Sequence, residues 1–79
     1  MQIYPNPNSG IFNLELNAGG RLNGELVIID VTGRKVYSQL IDIMGAYHTS
    51  VNIAGYSKGL YCIQLRCTEG YASKNISVE

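Results

Sequence analysis

Apolar and polar residues alternate along much of this chain, with the period of two that is typical of β-strands facing a core on one side. In the stretch IFNLEL, Phe12, Leu14 and Leu16 are predicted to face inward, while Asn13 and Glu15 face solvent. No stretch keeps the period of an amphipathic helix for long. Glycines cut the chain into pieces of strand length. Short strands separated by turn signals predict an all-β sandwich or barrel.

The pattern predicts seven strands. They are expected near residues 2–4, 11–16 (IFNLEL), 25–31 (ELVIIDV), 35–43, 46–53 (AYHTSVNI), 60–67 (LYCIQLRC) and 71–78 (YASKNISV). The glycine-rich stretch NAGGRLNG, residues 17–24, is expected to form a loop. The third strand is apolar on both faces over residues 26–29, which predicts a central position in its sheet.

The fourth predicted strand changes the face on which its apolar residues lie. They shift from the parity of Val36 and Leu40 to that of Ile41 and Ile43. A regular strand cannot change faces in this way, so a bulge or bend is expected near residues 39–41.

The stretch DVTGRKV predicts a tight hairpin between the third and fourth strands. Gly33 supplies the positive φ that such a turn needs, and Asp30 can accept hydrogen bonds from the backbone amides ahead of it. In the last two strands, the residues predicted to face inward are Tyr61, Ile63, Leu65, Ile76 and Val78.

Near its start the chain carries YPNPNSG, which contains both of its prolines. Pro5 and Pro7 lack amide donors and have a fixed φ, so this segment cannot join a central ladder. The following Asn-Ser-Gly is predicted to turn the chain into the second strand. The backbone restrictions of these residues therefore predict a rigid turn at the entry to the second strand.

Length and charge restrict the function. Seventy-nine residues make one domain, and 46% hydrophobic residues are normal for a folded one. Six basic and six acidic residues give no net charge and form no basic stripe, which argues against a nucleic-acid partner. No apolar run is long enough for membrane insertion, and the start does not read as a signal peptide. If the domain works outside the cytoplasm, a segment before it is expected to carry it there.

The residue types of catalytic and metal sites are sparse and dispersed. Cys62 and Cys67 are separated by about 16 Å in an extended strand and point to opposite faces, which predicts two free thiols. His48, the single histidine, lies on the polar parity of its strand. These positions do not favour a zinc site, and we expect no enzyme activity, metal or cofactor.

Six tyrosines and no tryptophan suggest carbohydrate binding as one alternative, because sugars stack on exposed aromatic rings. Tyr61 and Tyr47 fit inward positions instead, and Tyr4 is expected beside the proline turn. Tyr37, Tyr56 and Tyr71 are the candidates for a sugar-binding surface.

Four blocks of the sequence together form a family pattern. YPNPNSGIFNLEL, VIIDVTGRKVYS, SKGLYCIQL and a final YASKNISVE stand in the family's order and span essentially the whole chain. The sequence resembles the type A C-terminal sorting domain of the type IX secretion system of Bacteroidetes-type Gram-negative bacteria.

The resemblance implies a seven-stranded, immunoglobulin-like antiparallel β-sandwich at the end of a larger exported protein. Residues 1–79 would then be one sorting domain behind an N-terminal cargo domain that is not in this chain. The cargo would cross the periplasm on its way to the cell surface or the medium. Its partners would be the outer-membrane translocon and a sortase that removes the domain. The domain itself would be a sorting signal and not a catalyst.

Family motif positions can be matched residue by residue, and together they are the candidate recognition residues. The matching positions are Pro5, Asn6, Pro7, Gly10, Gly33, Val36, Gly59, Tyr61, Lys74, Ile76 and Val78. The sequence departs from many members at its end, where Val78 and Glu79 replace a terminal basic residue. No cleavage residue can be assigned, because the family's sortase cut falls before the first block.

Lys74 is the motif position that packing explains least well. It shares its parity with Ile76 and Val78, so its ammonium must extend outward at the sheet margin. We expect the machinery to pair with an edge near this last strand, and proline at Asn75 or Ser77 to reduce export. Open edges could also pair two copies of the chain as a dimer.

A structural or adhesive immunoglobulin-like module is the main alternative function. The corresponding domain of flagellar hook-capping proteins has a similar proline turn, hairpin and Gly-x-Tyr strand. A sorting domain must end its protein, whereas a structural module can lie anywhere in it.

Overall fold

Residues 1–68 and 70–79 are described by a computed structural model, and they form an all-β fold. The strands are β1 (Gln2–Tyr4), β2 (Ile11–Asp30), β3 (Lys35–Asn52), β4 (Gly59–Cys67) and β5 (Gly70–Val78). All of their pairings are antiparallel, in the order β1-β2-β4-β5, with β3 also paired to β2. The prediction of an antiparallel all-β fold is confirmed. In these two ranges, no helix has the length and apolar character needed to cross a membrane.

The described residues form five strands, so the seven predicted strands are not confirmed. The second and third predicted strands form one continuous strand, β2, and the fourth and fifth form β3. The predicted loop at residues 17–24 belongs to β2. Its ladder with β3 continues from Asn17 opposite Ala46 to Arg21 opposite Met44, across a register shift. The glycines here open a bulge in the strand and do not end it, because the partner strand remains alongside.

The long hairpin of β2 and β3 curls over on itself. Gln39 and Tyr47 are eight residues apart in β3, which would place them about 26 Å apart in a straight strand. The Nε2 of Gln39 nevertheless lies 3.3 Å from the hydroxyl oxygen of Tyr47. Gly45 between them has a φ of 74°, and Gly19 at the matching bend of β2 has a φ of 70°. The two halves of the hairpin therefore face each other, although a seven-stranded immunoglobulin-like sandwich is not confirmed.

The hydrophobic core lies between these facing halves. It contains the predicted inward residues of β2 and of the last two strands, which confirms those assignments. The buried cluster consists of Phe12, Leu14, Leu16, Leu26, Ile28, Ile41, Val51, Ile53, Tyr61, Ile63, Leu65, Ile76 and Val78. The predicted central position is also confirmed, because residues 26–29 pair with β3 on one side and β4 on the other.

The bulge predicted near residues 39–41 lies elsewhere. Ile28 pairs with Tyr37 and Ile29 with Lys35, so the extra residue is Val36. Leu40 is 83% exposed, whereas Ile41 is buried. The prediction was wrong because it counted Leu40 as a core residue. Val36 contacts the core at the bulge, whereas Leu40 lies on the solvent side of the strand that follows it.

Gly24 shows a close approach between two backbones inside the sheet. A Cβ placed on it would lie 2.4 Å from the carbonyl oxygen of Arg66 and 3.0 Å from the Cβ of Cys67. We therefore expect Gly24→Ala to lower the free energy of unfolding by about 1–3 kcal/mol, because β4 must move to make room. Urea denaturation measures this change.

The matched control for that substitution is Gly20→Ala in the same strand. No heavy atom lies within 4 Å of a Cβ placed on Gly20. Its effect should stay within about 0.5 kcal/mol. Equal losses for the two variants would show that β4 does not approach Gly24 this closely.

Candidate recognition surface

The N-terminal block, residues 4–10 (YPNPNSG), lies along the outer edge of β5. The Asn8 amide donates to the carbonyl of Ser77 at 3.0 Å, and the Glu79 amide donates to the carbonyl of Asn8 at 2.8 Å. These bonds form a parallel bridge between Asn8 and Val78. The first and last segments of the domain are thus joined directly. The bridge lies at the sheet margin, which confirms that the block stays outside the central ladder.

Asn6 extends this contact with its side chain. Its Oδ1 accepts a hydrogen bond from the Ser77 amide at 3.1 Å, and its Nδ2 donates to the carbonyl of Asn75 at 3.4 Å. The amide group of Asn6 thus pairs with β5 as a strand backbone would. Ser77→Pro would remove the hydrogen bond from the Ser77 amide to Asn6. A loss of export in this variant would therefore not show that a partner strand pairs with an open edge.

Asn8 holds the block in shape, and sequence reasoning did not single it out. Its side chain accepts from the Gly10 amide at 2.8 Å and donates to the carbonyl of Pro5 at 3.0 Å. Asn8 is 7% exposed, whereas Pro5 and Pro7 are exposed. The Asn-Ser-Gly turn signal was the one local indication of this role.

The ends of the block bond to β2 and to the residue that follows β3. Tyr4 pairs with Asn13 in β2, and its hydroxyl donates to the Glu15 carboxylate. This hydrogen bond is the main reason that the pKa of Tyr4 is raised. At the other end, the Ile53 amide donates to the carbonyl of Gly10 at 2.7 Å. The block therefore links the start of β2 and the end of β3 to the outer edge of β5.

The predicted hairpin is present, and Asp30 organises it. The Asp30 carboxylate accepts from the Thr32 hydroxyl at 2.6 Å and from the amides of Thr32 and Arg34 at 2.9 and 3.0 Å. Gly33 has a φ of 87°, as expected. The pKa of Asp30 is lowered, chiefly by the Thr32 hydroxyl and then by the backbone amides. Since this pKa lies below its unfolded value, Asp30 stabilises the turn near neutral pH. That contribution is lost as the pH falls through the folded-state pKa.

Several family motif positions are buried. Tyr61 is 5% exposed, and its hydroxyl donates to the carbonyl of Ser57 four residues earlier. Ile76 and Val78 belong to the core, and Val36 is half-buried against it. The buried side chains of Tyr61, Ile76 and Val78 are not available to a partner in the folded domain, so their contribution is to its shape.

Lys74 is exposed, although Ile76 and Val78 on the same parity are buried. The outward position expected from the sequence is therefore confirmed. The carbonyl of its neighbour Asn75 accepts a hydrogen bond from Asn6. The structure therefore brings the exposed lysine close to the N-terminal block. These two motifs are more than 60 residues apart in the sequence.

The motif blocks meet at one end of the molecule. In the hydrogen-bonded registers, Asp30 lies opposite Tyr61 and Tyr61 lies opposite Ile76. Val78 lies between Gly59 and Asn8. One continuous region is therefore formed by the hairpin, the Gly-x-Tyr strand, the last strand and the N-terminal block. Its exposed motif positions are Pro5, Asn6, Pro7, Gly33, Gly59 and Lys74.

The cysteines, His48 and three tyrosines are candidate residues outside the family motifs. Cys62 and Cys67 are free thiols, as predicted, and His48 is exposed on its strand. Within residues 1–68 and 70–79, no three metal-ligating side chains come together. Tyr56 and Tyr71 are 44% and 62% exposed.

Tyr37 is less accessible than the sugar-binding alternative requires. It is half-buried, and its hydroxyl donates to Gln39 at 2.7 Å. Burial, with a smaller effect of Tyr47, raises the pKa of Tyr37.

Comparison with known proteins identifies a family for this chain. The profile of the secretion system C-terminal sorting domain family matches residues 2–79. The match includes all four motif blocks and every strand described above. A search of curated proteins finds no relative of the chain.

Proposed function

Because the chain belongs to the secretion system C-terminal sorting domain family, we propose that it directs a larger protein across the outer membrane and is then removed by a sortase. The family supports a type IX sorting signal, carried by a secreted or cell-surface protein that passes through the periplasm. It is not a family of enzymes. The observation that carries the proposal is the match over residues 2–79.

Within this proposal, residues 1–79 act as one sorting domain behind a cargo, and the outer-membrane translocon and the sortase are its partners. The fold resembles an immunoglobulin-like sandwich in two respects. The curled hairpin of β2 and β3 places two layers of strands around one core, and Tyr61 forms a tyrosine corner through its bond to Ser57. Both features support a two-layer sandwich built from fewer, longer strands.

The motif positions divide into two groups with different contributions. Val36, Tyr61, Ile76 and Val78 shape the fold from within, and the glycines allow its turns. The exposed Pro5, Asn6, Pro7 and Lys74 form the surface available to the machinery. The machinery would thus recognise a folded surface that the buried motif residues hold in place.

A fusion that varies the position of the domain tests this function against a structural module. A periplasmic reporter would carry the 79 residues either at its C terminus or between two reporter domains, in a strain with the type IX system. We expect the terminal fusion at the surface or in the medium and the internal fusion in the periplasm. If both folded fusions remain in the periplasm, the structural module is the better account.

A further inference from the structure

β5 forms a margin of the sheet, and its outer edge is only partly occupied. The carbonyls of Asn75 and Ser77 and the amides of Ser77 and Glu79 bond to the N-terminal block. Backbone groups of alternate residues in a strand point to the same side, so those of Tyr71 and Ser73 share this direction. Among the described residues, none bonds to Tyr71 or Ser73 on that side. Residues 71–74 therefore present an open strand edge, which ends at the bonded carbonyl of Asn75.

We propose that residues 71–74 form a docking site for an extended, acidic segment of the secretion machinery, which adds to the sheet as one more strand. The inference rests on the proposed function and names the part of the domain that the machinery contacts. Backbone hydrogen bonds would provide affinity, as in other cases of strand addition. Alternate side chains of the incoming strand would provide specificity.

Positive charge on both faces of this edge favours an acidic occupant. Arg66 lies opposite Tyr71 in the ladder, so it shares the outer face with that exposed ring. Lys74 lies within the open segment on the other face, and both basic side chains are exposed. In the described parts of the chain, ion pairs join Arg21 to Asp42, Arg34 to Asp30 and Lys35 to Glu25. Arg66 and Lys74 have no such pair there. The guanidinium of Arg66 donates to Oε1 of Gln64 at 3.1 and 2.6 Å, so its remaining donors and the Lys74 ammonium are the groups that would meet carboxylates of a partner strand.

A second copy of the chain is a poorer occupant. Antiparallel pairing of two β5 edges about Ser73 would place Lys74 opposite Ala72 of the second copy. The two Lys74 side chains would then be diagonal neighbours on one face, where like charges repel. A partner with glutamate or aspartate at these positions meets no such repulsion.

A nuclear magnetic resonance titration of the isotope-labelled 79-residue chain tests the site directly. The probe is a short peptide that alternates glutamate with valine, and its control carries lysine in place of glutamate. We expect the acidic peptide to shift the amide signals of Tyr71 and Ser73 and to slow their hydrogen exchange. The basic control should bind at least about tenfold more weakly, since each like-charge pair opposes docking.

Two variants separate the backbone contribution from the charge contribution. Ser73→Pro removes an outward amide donor at a position where an edge strand tolerates proline, and it should abolish binding. Lys74→Glu should weaken binding about tenfold. Lys58→Glu is the matched control, because it changes the net charge equally at an exposed lysine outside β5. An unchanged urea midpoint shows that each variant is folded. Equal binding by Ser73→Pro and the unmodified chain would overturn the proposal.

The same variants in the reporter fusion distinguish this inference from the proposed function. If the unmodified fusion is not exported, the proposed function fails. If it is exported and the folded Ser73→Pro and Lys74→Glu fusions are exported equally well, the docking site is wrong and the function stands. Self-association of the chain through β5, lost in Ser73→Pro, would also contradict a heterologous acidic partner.

Discussion

Replacement of Gly10 by alanine should destabilise the domain by about 2–5 kcal/mol, among the largest losses expected from any single substitution in this chain. Gly10 has a φ of 103°, a conformation that residues with a side chain rarely adopt. An added Cβ would also lie 2.7 Å from the Cα of Ala54 and 2.9 Å from its nitrogen. Both of these are backbone atoms, so the connection after β3 would have to move away from the N-terminal block.

Gly33→Ala is the control that separates these two causes. Gly33 also has a positive φ, of 87°, but no heavy atom lies within 4 Å of a Cβ placed on it. Its loss should be limited to the backbone conformation, about 1–2 kcal/mol. Urea denaturation of the two variants gives the difference. Equal losses would show that contact with Ala54 contributes nothing.

Asn8→Ala should have the second large effect, a loss of about 2–4 kcal/mol in the free energy of unfolding. The substitution removes both side-chain bonds of a buried residue, and it leaves the Gly10 amide without its acceptor. A buried donor that loses its partner costs more than the hydrogen bond itself contributed. The loosened block should also release the Glu79 amide, so hydrogen exchange at Glu79 should become faster.

Asn6→Ala is the appropriate comparison, because Asn6 also makes two side-chain bonds but is exposed. Water can replace its partners, so the expected loss is about 1 kcal/mol. If Asn6→Ala costs as much as Asn8→Ala, burial is not the reason that Asn8 matters. If neither variant changes exchange at Glu79, the block does not hold the end of β5.

Features set by neighbouring residues could be predicted from the sequence. The DVTGRKV hairpin is one, since Asp30 and Gly33 build it within five residues. The buried faces are another, because a period of two places Phe12, Leu14 and Leu16 inward whether or not their strand continues. The number of strands could not be predicted in this way. The local sequence NAGGRLNG predicts a loop, and only its pairing with β3 keeps it extended.

The candidate surface could not be predicted from the sequence in full, because it is formed by contacts between distant parts of the chain. The motif residues were found through resemblance, which does not separate buried Tyr61 from exposed Lys74. The bonds of Asn6 and Asn8 to the last strand span about 70 residues. No local pattern indicates such a contact, so Asn8 was missed and the open part of the β5 edge was misplaced. The N-terminal block is therefore a rigid turn that also covers part of the outer edge of β5.

The location of a periplasmic reporter that carries these 79 residues at its C terminus is the most direct test of the proposed function. The comparison is between a strain with an intact type IX translocon and one that lacks it. We predict that the reporter reaches the surface or the medium in the first strain and stays in the periplasm of the second. A fusion that is folded and remains in the periplasm of both strains would contradict a role as a sorting signal.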